Sequence, residues 1–394
     1  SDVCSSDLKI NCDGFIGAHY LGKEEIKACE NVINSQSLFR YDGINLLHKS
    51  DKLENELRKF FNCRYALACS SGTAALKLCC ISLGIGPGDE VLMSPFTYIA
   101  SAGAVLSCGA TPNFVDIDKN MNIDANKIED CITKHTKAIL VVHIQGKSCD
   151  LDTIVKVAKK HNLFIIEDCA QSFGVKYKDN YVGTIGDVAA FSFQANKNIT
   201  CGEGGLFICN NNKYYQKAKM YHDNGGYRSG TSYPVWDLPF TTYGENFKIS
   251  EIQSAITIEQ FNKFEMIKNT QWEIYEKISS FMNCDFRRYN EGDVPTRICI
   301  YFNSESKCLE FIKNCNTIGI PYEPYDDKLL TTYTTFINKM SWDSRNNPYN
   351  NFEYNVNKCP IAEKYLTRTA WLPICPTLTD HEIKYIINST NKYS

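Results

Sequence analysis

The sequence has no excess of positive charge and no hydrophobic run long enough to cross a membrane. Its 394 residues carry 42 Lys and Arg against 45 Asp and Glu, a formal net charge of −3. A chain without a basic excess gains little from phosphate contacts, so we predict no nucleic-acid partner. The longest apolar runs, such as residues 138–142, have the length of a buried strand, whereas a membrane helix needs about 20 residues. We therefore predict no membrane segment.

The spacing of the 19 cysteines reveals no metal-binding or disulfide pattern. No two are spaced as Cys-x-x-Cys, and several, such as Cys79 and Cys299, lie in apolar stretches where cysteine acts as a small hydrophobe. A chain of this length needs no disulfide staples and shows no secretory signal, so we interpret it as cytoplasmic. A lone histidine in an apolar run, His143, is interpreted as a hydrogen-bonded core residue. We predict no metal site.

Composition and pattern divide the chain into a short foreign segment and two domains. Hydrophobic residues make up 43% and charged residues 22%, which is the balance of a globular protein. Residues 1–8 match the translation of a common sequencing adapter, and we predict that they are not native. The pattern changes character after residue 250. We therefore predict a large domain over residues 9–265 and a smaller C-terminal domain over residues 266–394.

Short apolar runs alternate with helix-like runs from residue 60 onward. Turn residues such as glycine and proline separate the two kinds of segment. Strands interleaved with helices favour parallel pairing and a sheet that is covered on both faces. The predicted strands of this large domain lie at 64–68, 90–93, 111–116, 138–143, 163–167, 188–193 and 205–209.

Two segments offer chemically useful side chains beside apolar runs. The run 163–168 ends in an acidic pair whose second member is Asp168, and strand ends of open α/β sheets border ligand crevices. Lys197 stands between an apolar run and the glycine cluster at 202–205, where the backbone can approach a ligand closely. A lysine held there can lose its proton and attack a carbonyl carbon. Each residue alone also fits a structural role, as a surface acid or a solvated loop lysine.

A third segment predicts a phosphate site. Gly72 and Thr73 follow two serines and open a helix-like run, and helix N-termini present N–H groups and a positive dipole to anions. Alone, such a segment is more often a simple helix cap. A phosphate site, a strand-end Asp168 and Lys197 in a glycine-rich loop together form the set that pyridoxal phosphate (PLP) requires. We therefore predict PLP as the cofactor.

The order of these motifs resembles that of the DegT/DnrJ/StrS family of sugar aminotransferases, within the fold type I PLP enzymes. The similarity extends over nearly the whole chain, from residue 17 to residue 387. The resemblance implies an α/β fold with a large PLP-binding domain, whose mostly parallel sheet lies between helices, and a smaller C-terminal α/β domain. The similarity is strongest in six segments that follow one another in the family's order: 70–75, 84–91, 109–112, 167–171, 191–205 and 246–251.

The resemblance implies two catalytic residues and two contacts to the cofactor ring. Lys197 matches the lysine that holds the cofactor as a Schiff base and shuttles a proton. Asp168 matches the carboxylate that keeps the pyridine nitrogen protonated. Gln171 matches the residue that contacts the ring or its 3-hydroxyl group, and Tyr98 matches an aromatic side chain that stacks on the ring.

The resemblance also implies residues for the phosphate of the cofactor. Gly72 and Thr73 match the phosphate-binding turn, and Ser192 matches a serine that reaches the same group. Asn246 matches an asparagine that reaches the phosphate of the neighbouring subunit, which implies a homodimer with shared active sites. Two positions later the family most often has arginine, and here Lys248 lacks the bidentate fork of that residue. Recognition of an anion is expected to differ there.

The resemblance implies a transaminase that moves an amino group from an amino acid, L-glutamate by analogy, to a keto sugar. The acceptor is most often nucleotide-linked, and the product serves surface polysaccharide or amino-sugar biosynthesis. Residues 39–41 and 197–205 also resemble a branch that aminates an oxidised octulosonate, giving an 8-amino-3,8-dideoxy sugar. Further alternatives are a PLP-dependent sugar dehydratase, in which histidine replaces the lysine, and a non-catalytic PLP-binding regulatory protein. Lys197 argues against the first, and the slightly acidic charge argues against a DNA-binding regulator.

Overall fold

The structure is a computed structural model, which describes residues 9–229, 233–325, 328–341, 343–350 and 359–394. The segment 1–8, which the sequence predicts to be non-native, lies outside the described residues. Within the described part of the chain, no helix combines the length with the apolar character that crossing a bilayer demands.

The large domain is built on a seven-stranded sheet with the strand order β1-β9-β8-β5-β4-β2-β3. The pairs β2–β3, β2–β4, β4–β5 and β5–β8 are parallel, which confirms the predicted mostly parallel sheet. The strands of the described residues are β1 (Tyr65–Cys69), β2 (Glu90–Met93), β3 (Thr111–Phe114), β4 (Thr136–Val142), β5 (Phe164–Asp168), β6 (Lys176–Tyr177), β7 (Asn180–Tyr181), β8 (Val188–Ser192), β9 (Gly205–Cys209), β10 (Arg297–Tyr301), β11 (Glu323–Pro324) and β12 (Thr369–Pro373).

Strand β9 departs from the parallel pattern because it lies antiparallel between β1 and β8. Its register joins Ser192 to Gly205, so the chain returns directly through the loop 193–204. A parallel return would need a crossover helix on one face of the sheet, and this loop contains none. The same loop carries Lys197.

Helices cover both faces of this sheet, as the alternating pattern predicts. Successive residues of β1 enter opposite cores: Leu67 packs in the cluster with α3, and Ala68 packs in the cluster with α2, α5 and α7. The helices of the described residues are α1 (Lys23–Asn34), α2 (Lys49–Phe60), α3 (Gly72–Leu83), α4 (Ile99–Ser107), α5 (Leu151–His161), α6 (Asn212–Tyr221), α7 (Glu251–Asn262), α8 (Phe264–Ser279), α9 (Glu305–Thr317), α10 (Thr334–Ile337), α11 (Pro360–Thr367) and α12 (Asp380–Tyr393).

The C-terminal part of the chain has its own three-stranded antiparallel sheet, in the order β10-β12-β11. Its core gathers residues of α8, α9 and α12 against the strands. Helix α8 joins the two cores, because Ile267 packs with the large domain whereas Ile274 and Ile278 pack with the small one. The domain boundary at residue 265 stays a prediction.

Candidate active site

A cavity of about 500 Å³ opens where the parallel strands end, and the small domain closes one of its sides. The small domain contributes Arg297 from β10 and Trp371 from β12. Seven of the eight site residues that the sequence predicts line this cavity: Gly72, Thr73, Tyr98, Asp168, Gln171, Ser192 and Lys197.

Asp168 is the last residue of β5, and its carboxylate is buried. The hydroxyl of Ser101 donates a hydrogen bond to Oδ2 at 2.8 Å, and the N–H of Ala170 donates to Oδ1 at 3.1 Å. Burial raises the pKa of Asp168 above its usual value, while these two hydrogen bonds and the charge of Lys197 oppose the rise. The carboxylate is thus poised to pair with a buried cation.

Lys197 extends into the cavity from the loop between β8 and β9. Its backbone is fixed on both sides, because its N–H donates to the carbonyl of Gln194 and its own carbonyl accepts from Gly17. Burial lowers the pKa of the Lys197 amine, the positive charge of Arg297 lowers it further, and Asp168 opposes both effects. A lysine with a lowered pKa is more often neutral, and the neutral amine is the nucleophilic form.

The N-terminus of α3 forms the anion-binding end of the cavity. Helix α3 begins at Gly72, after Ser71 caps it by accepting the N–H of Ala74 at 3.0 Å. A side chain at Gly72 would place its Cβ 2.7 Å from the Cβ of Ser192, so glycine is required where the helix meets β8. The first N–H groups of a helix have no partner within it, so those of Gly72 and Thr73 suit a phosphate.

The middle of the cavity offers an aromatic face and an amide. Tyr98 directly precedes α4, and 60% of its surface is exposed. The amide oxygen of Gln171 accepts the N–H of Gln145 at 3.0 Å, which orients that side chain at the cavity wall. A phosphate cradle, an aromatic face, a buried carboxylate and an amine with a lowered pKa are the groups that PLP needs, so these residues fit the cofactor.

Asn246 is the one predicted site residue that does not line this chain's cavity. It is exposed, and its Oδ1 accepts the N–H of Lys248 at 3.4 Å. The Nζ atom of Lys248 lies 2.6 Å from Oδ1 of Asp223, and both side chains are almost fully buried. Arg228 contacts the other oxygen of the same carboxylate, so Lys248 and Arg228 share one negative charge within their own chain. That Asn246 reaches the site of a second subunit stays a prediction.

Among the cavity residues that sequence reasoning missed, Ser101 and Arg297 act directly on the predicted catalytic pair. Ser101 lies three positions after Tyr98 on the same helical face, a spacing that could have indicated it. Arg297 comes from the small domain, and nothing in its local sequence indicates a site. Its guanidinium makes no ion pair with any carboxylate of the described residues, and its Nη2 lies 3.0 Å from where a Cβ on Gly14 would be.

Two other residues of the sequence analysis have structural roles. Arg40, within the octulosonate-like segment 39–41, is buried outside the cavity, where Nη2 contacts Oε1 of Glu54 at 2.8 Å. His143 is also buried, and its Nδ1 accepts the N–H of Cys149 at 3.1 Å. Its Nε2 therefore carries the proton and donates to Oε2 of Glu167 at 3.1 Å. The interpretation of His143 as a hydrogen-bonded core residue is confirmed.

Comparisons with known proteins identify the family of this chain. A profile described as the DegT/DnrJ/EryC1/StrS aminotransferase family matches residues 19–391. The chain is 35% identical over 353 residues to GDP-perosamine synthase of Escherichia coli O157:H7, which covers 87% of this chain and 89% of that protein. The structure of an aminotransferase from Psychrobacter cryohalolentis matches with a TM-score of 0.83 at 27% identity, over 94% of this chain and 96% of that one.

A further solved structure shares the fold. It is a Streptococcus pneumoniae chain assigned as a sugar aminotransferase and described in its PMP form, with a TM-score of 0.80 at 23% identity. The match covers 95% of this chain and 97% of that one. The family profile matches residues 19–391, and the Escherichia coli relative is 35% identical over 87% of this chain. Together, these two matches show the family. The chain belongs to the DegT/DnrJ/EryC1/StrS aminotransferase family of PLP-dependent enzymes.

Proposed function

We propose that this enzyme moves an amino group from L-glutamate to a keto sugar, with Lys197 and Asp168 as its catalytic residues. The observation that carries the proposal is the pairing of these two side chains in one cavity. Burial lowers the pKa of the amine, which favours the neutral nucleophile, and the hydrogen bonds from Ser101 and Ala170 favour the ionised form of the buried carboxylate. The cytoplasm, where such substrates are made, is the proposed compartment.

PLP, when bound, supplies an aldehyde that takes up the amino group and a ring that accepts electrons. Lys197 supplies the amine that holds this aldehyde and then carries a proton as base and acid. Asp168 holds the proton on the ring nitrogen, and Ser101 keeps that carboxylate oriented at 2.8 Å. Gly72, Thr73 and the hydroxyl of Ser192 would bind the phosphate, and Tyr98 would offer an aromatic face to the ring.

The proposed acceptor is a nucleotide-linked keto sugar. The relative from Escherichia coli O157:H7 is named for a GDP-linked amino sugar, and the cavity offers Arg297, a cation without an ion pair among the described residues, for an anionic group. An oxidised octulosonate is the second candidate, because Arg297 equally suits its carboxylate. The buried position of Arg40, outside the cavity, removes one of the residues that suggested this second acceptor.

A homodimer with shared sites is also proposed, and the surface near Asn246 supports it. Asn246 is exposed and lies outside its own cavity. Large apolar side chains are exposed on the neighbouring segment of the chain, which is unusual for a surface that meets only water. They include Tyr233, Trp236, Phe240 and Tyr243.

The test of the function separates the two half-reactions. Glutamate alone should change the absorbance of the bound cofactor, and a panel of keto sugars should then yield an aminated product that mass spectrometry identifies. Lys197→Ala should abolish both steps while the protein folds and retains PLP non-covalently. Lys176→Ala, at an exposed lysine of β6, is the matched control and should behave like wild type. Wild-type turnover in Lys197→Ala would overturn the assignment.

A further inference from the structure

Three side chains that commonly bind metals meet where the N-terminal segment contacts the end of β12. Nε2 of His19 lies 3.0 Å from Oδ1 of Asp13 and 3.6 Å from Sγ of Cys375. The ligand atoms of these three residues all lie within 4.8 Å of one another. The thiol of Cys12 donates to the carbonyl of Pro373 at 2.9 Å nearby, but its sulfur does not belong to this group.

The separations of the His19 nitrogen from Asp13 and from Cys375 are close to two edges of a tetrahedral zinc site. Zinc binds imidazole nitrogen and carboxylate oxygen at about 2.0–2.1 Å and thiolate sulfur at about 2.3 Å. With tetrahedral angles, those bond lengths place nitrogen and sulfur about 3.6 Å apart and nitrogen and oxygen about 3.3 Å apart. The observed 3.6 Å between His19 and Cys375 fits, and 3.0 Å between His19 and Asp13 needs only a small movement of an accessible carboxylate.

We propose that Asp13, His19 and Cys375 form a binding site for one Zn²⁺ ion, with a fourth position open to solvent. One thiolate, one imidazole and one carboxylate are a ligand set that zinc accepts and that the harder Mg²⁺ and Ca²⁺ do not. The site is separate from the PLP cavity chemistry and does not depend on the proposed function. Cys375 lies 356 positions after His19, so no local sequence pattern reveals the cluster.

Binding of Zn²⁺ would form one Zn–S bond, one Zn–N bond and one Zn–O bond. The proton of the Cys375 thiol would pass to solvent, because a thiolate is the form that binds the metal.

A second group of possible ligands in the described residues, His143, Glu167 and Cys169, does not offer a comparable site. The carboxylate of Glu167 already accepts the N–H groups of Gly183, Ile185 and Gly186 in addition to the His143 ring. Nδ1 of His143 is also taken by a backbone N–H. All three side chains are buried, so an ion would have to break this network to enter. The cluster around Cys375 borders the surface instead.

The position of the proposed site gives it a structural consequence. Residue Gly14 directly follows Asp13 and lines the PLP cavity beside Arg297. A zinc ion would tie this N-terminal segment to the end of β12 in the small domain. It would thereby stabilise one wall of the cavity without touching the reacting atoms.

The test measures zinc in the intact holoenzyme, prepared with a thiol reductant and equilibrated with buffered Zn²⁺. Elemental analysis should find one zinc per chain in the wild type. His19→Asn and Cys375→Ser should each weaken binding by at least about tenfold, because even the partners of zinc ligands contribute that much. Cys29→Ser and His48→Asn are matched controls. Cys29 is a half-buried cysteine, and the ring of His48 pairs with Asp51 at 3.2 Å as His19 pairs with Asp13.

A measurement on the wild type guards against variants that fail to fold. Co²⁺ substituted for zinc should give intense absorption bands in the red, which are typical of tetrahedral coordination and lie away from the cofactor bands. Circular dichroism at each substitution checks the fold. Less than one tenth of an equivalent of zinc in the wild type, octahedral cobalt bands, or equal zinc affinity in His19→Asn and His48→Asn would each overturn the proposal.

Discussion

The hydroxyl of Ser101 donates to Oδ2 of Asp168 at 2.8 Å and so joins the first turn of α4 to the end of β5. The oxygen of Ser101 also lies 3.0 Å from the hydroxyl of Thr97. Asp168 is buried, and burial alone favours its protonated form. A hydrogen bond that donates to the carboxylate favours the ionised form, which is the form that can pair with a protonated ring nitrogen.

Replacing Ser101 by alanine is expected to change the pH profile of the enzyme. The hydrogen bond from Ser101 lowers the pKa of Asp168, so its loss raises that pKa. On acidification, the carboxylate of the variant therefore becomes protonated at a higher pH than that of the wild type. The acidic limb of kcat/KM should move to higher pH, with little change in activity on the plateau. Ser107→Ala is the control, because that hydroxyl lies on α4 but donates to the carbonyl of Ala104. An acidic limb that stays in place would contradict the role given to Ser101.

Asp168→Asn is expected to lower kcat by at least about 100-fold while the protein folds normally. An amide has no charge with which to hold the proton on the ring nitrogen. The variant also keeps the shape of the side chain, so packing at the end of β5 should survive. Asp187→Asn is a suitable control, since its carboxylate accepts the N–H of Ile165 near the start of the same strand at 2.8 Å. Stopped-flow absorbance with glutamate measures the effect, and unchanged kcat would remove Asp168 from the mechanism.

Arg297→Gln is expected to raise KM for an anionic substrate by about 10- to 100-fold, the range for losing a charge-assisted hydrogen bond. It should also raise the pKa of Lys197, because the charge of Arg297 lowers that pKa. Arg297→Lys should recover part of the affinity, since it keeps the charge without the fork.

Measuring the glutamate and keto-sugar steps separately shows which substrate carries the anion. Arg288→Gln, at an exposed arginine whose guanidinium lies over the ring of Phe286, is the control. Equal KM values in the wild type, Arg297→Gln and Arg297→Lys would refute the assignment of Arg297 to an anionic substrate.

Much of the cavity could be predicted because its residues follow directly from local patterns. Asp168 ends an apolar strand, Gly72 opens a helix and Lys197 lies in a glycine-rich loop, so each is marked by its own neighbours. The parallel sheet then brings those strand ends to one edge. The prediction of the fold class succeeded for the same reason, since alternating strands and helices have few ways to pack.

Contacts between distant parts of the chain could not be predicted. Arg297 enters the cavity from the small domain, about a hundred positions after Lys197, and no local pattern encodes that approach. His19 and Cys375 meet only because the N-terminal segment lies against the end of β12. The antiparallel direction of β9 was also hidden, since a strand's composition does not state its direction.

Glu167, the neighbour of Asp168 on β5, is expected to contribute to stability rather than to catalysis. It is buried, and its carboxylate accepts four hydrogen bonds: from the ring of His143 at 3.1 Å and from the N–H groups of Gly183 at 2.7 Å, Ile185 at 2.9 Å and Gly186 at 2.5 Å. Burial favours the protonated acid, but these hydrogen bonds outweigh it and lower the pKa of Glu167. The charge therefore stabilises the folded state at pH values above the usual pKa of glutamate.

Glu167→Gln should lower the free energy of unfolding by about 3 kcal/mol at neutral pH, because an NH₂ group replaces an oxygen that accepts two of these hydrogen bonds. Since the folded pKa is lowered, the stabilisation by Glu167 is present above the unfolded pKa and is lost as pH falls through the folded pKa. The difference between wild type and variant should therefore shrink in acid, which urea unfolding at several pH values measures. Asp152→Asn, in an exposed pair with Lys178, should leave stability nearly unchanged. A difference that does not depend on pH would show that the glutamate charge is not the stabilising group.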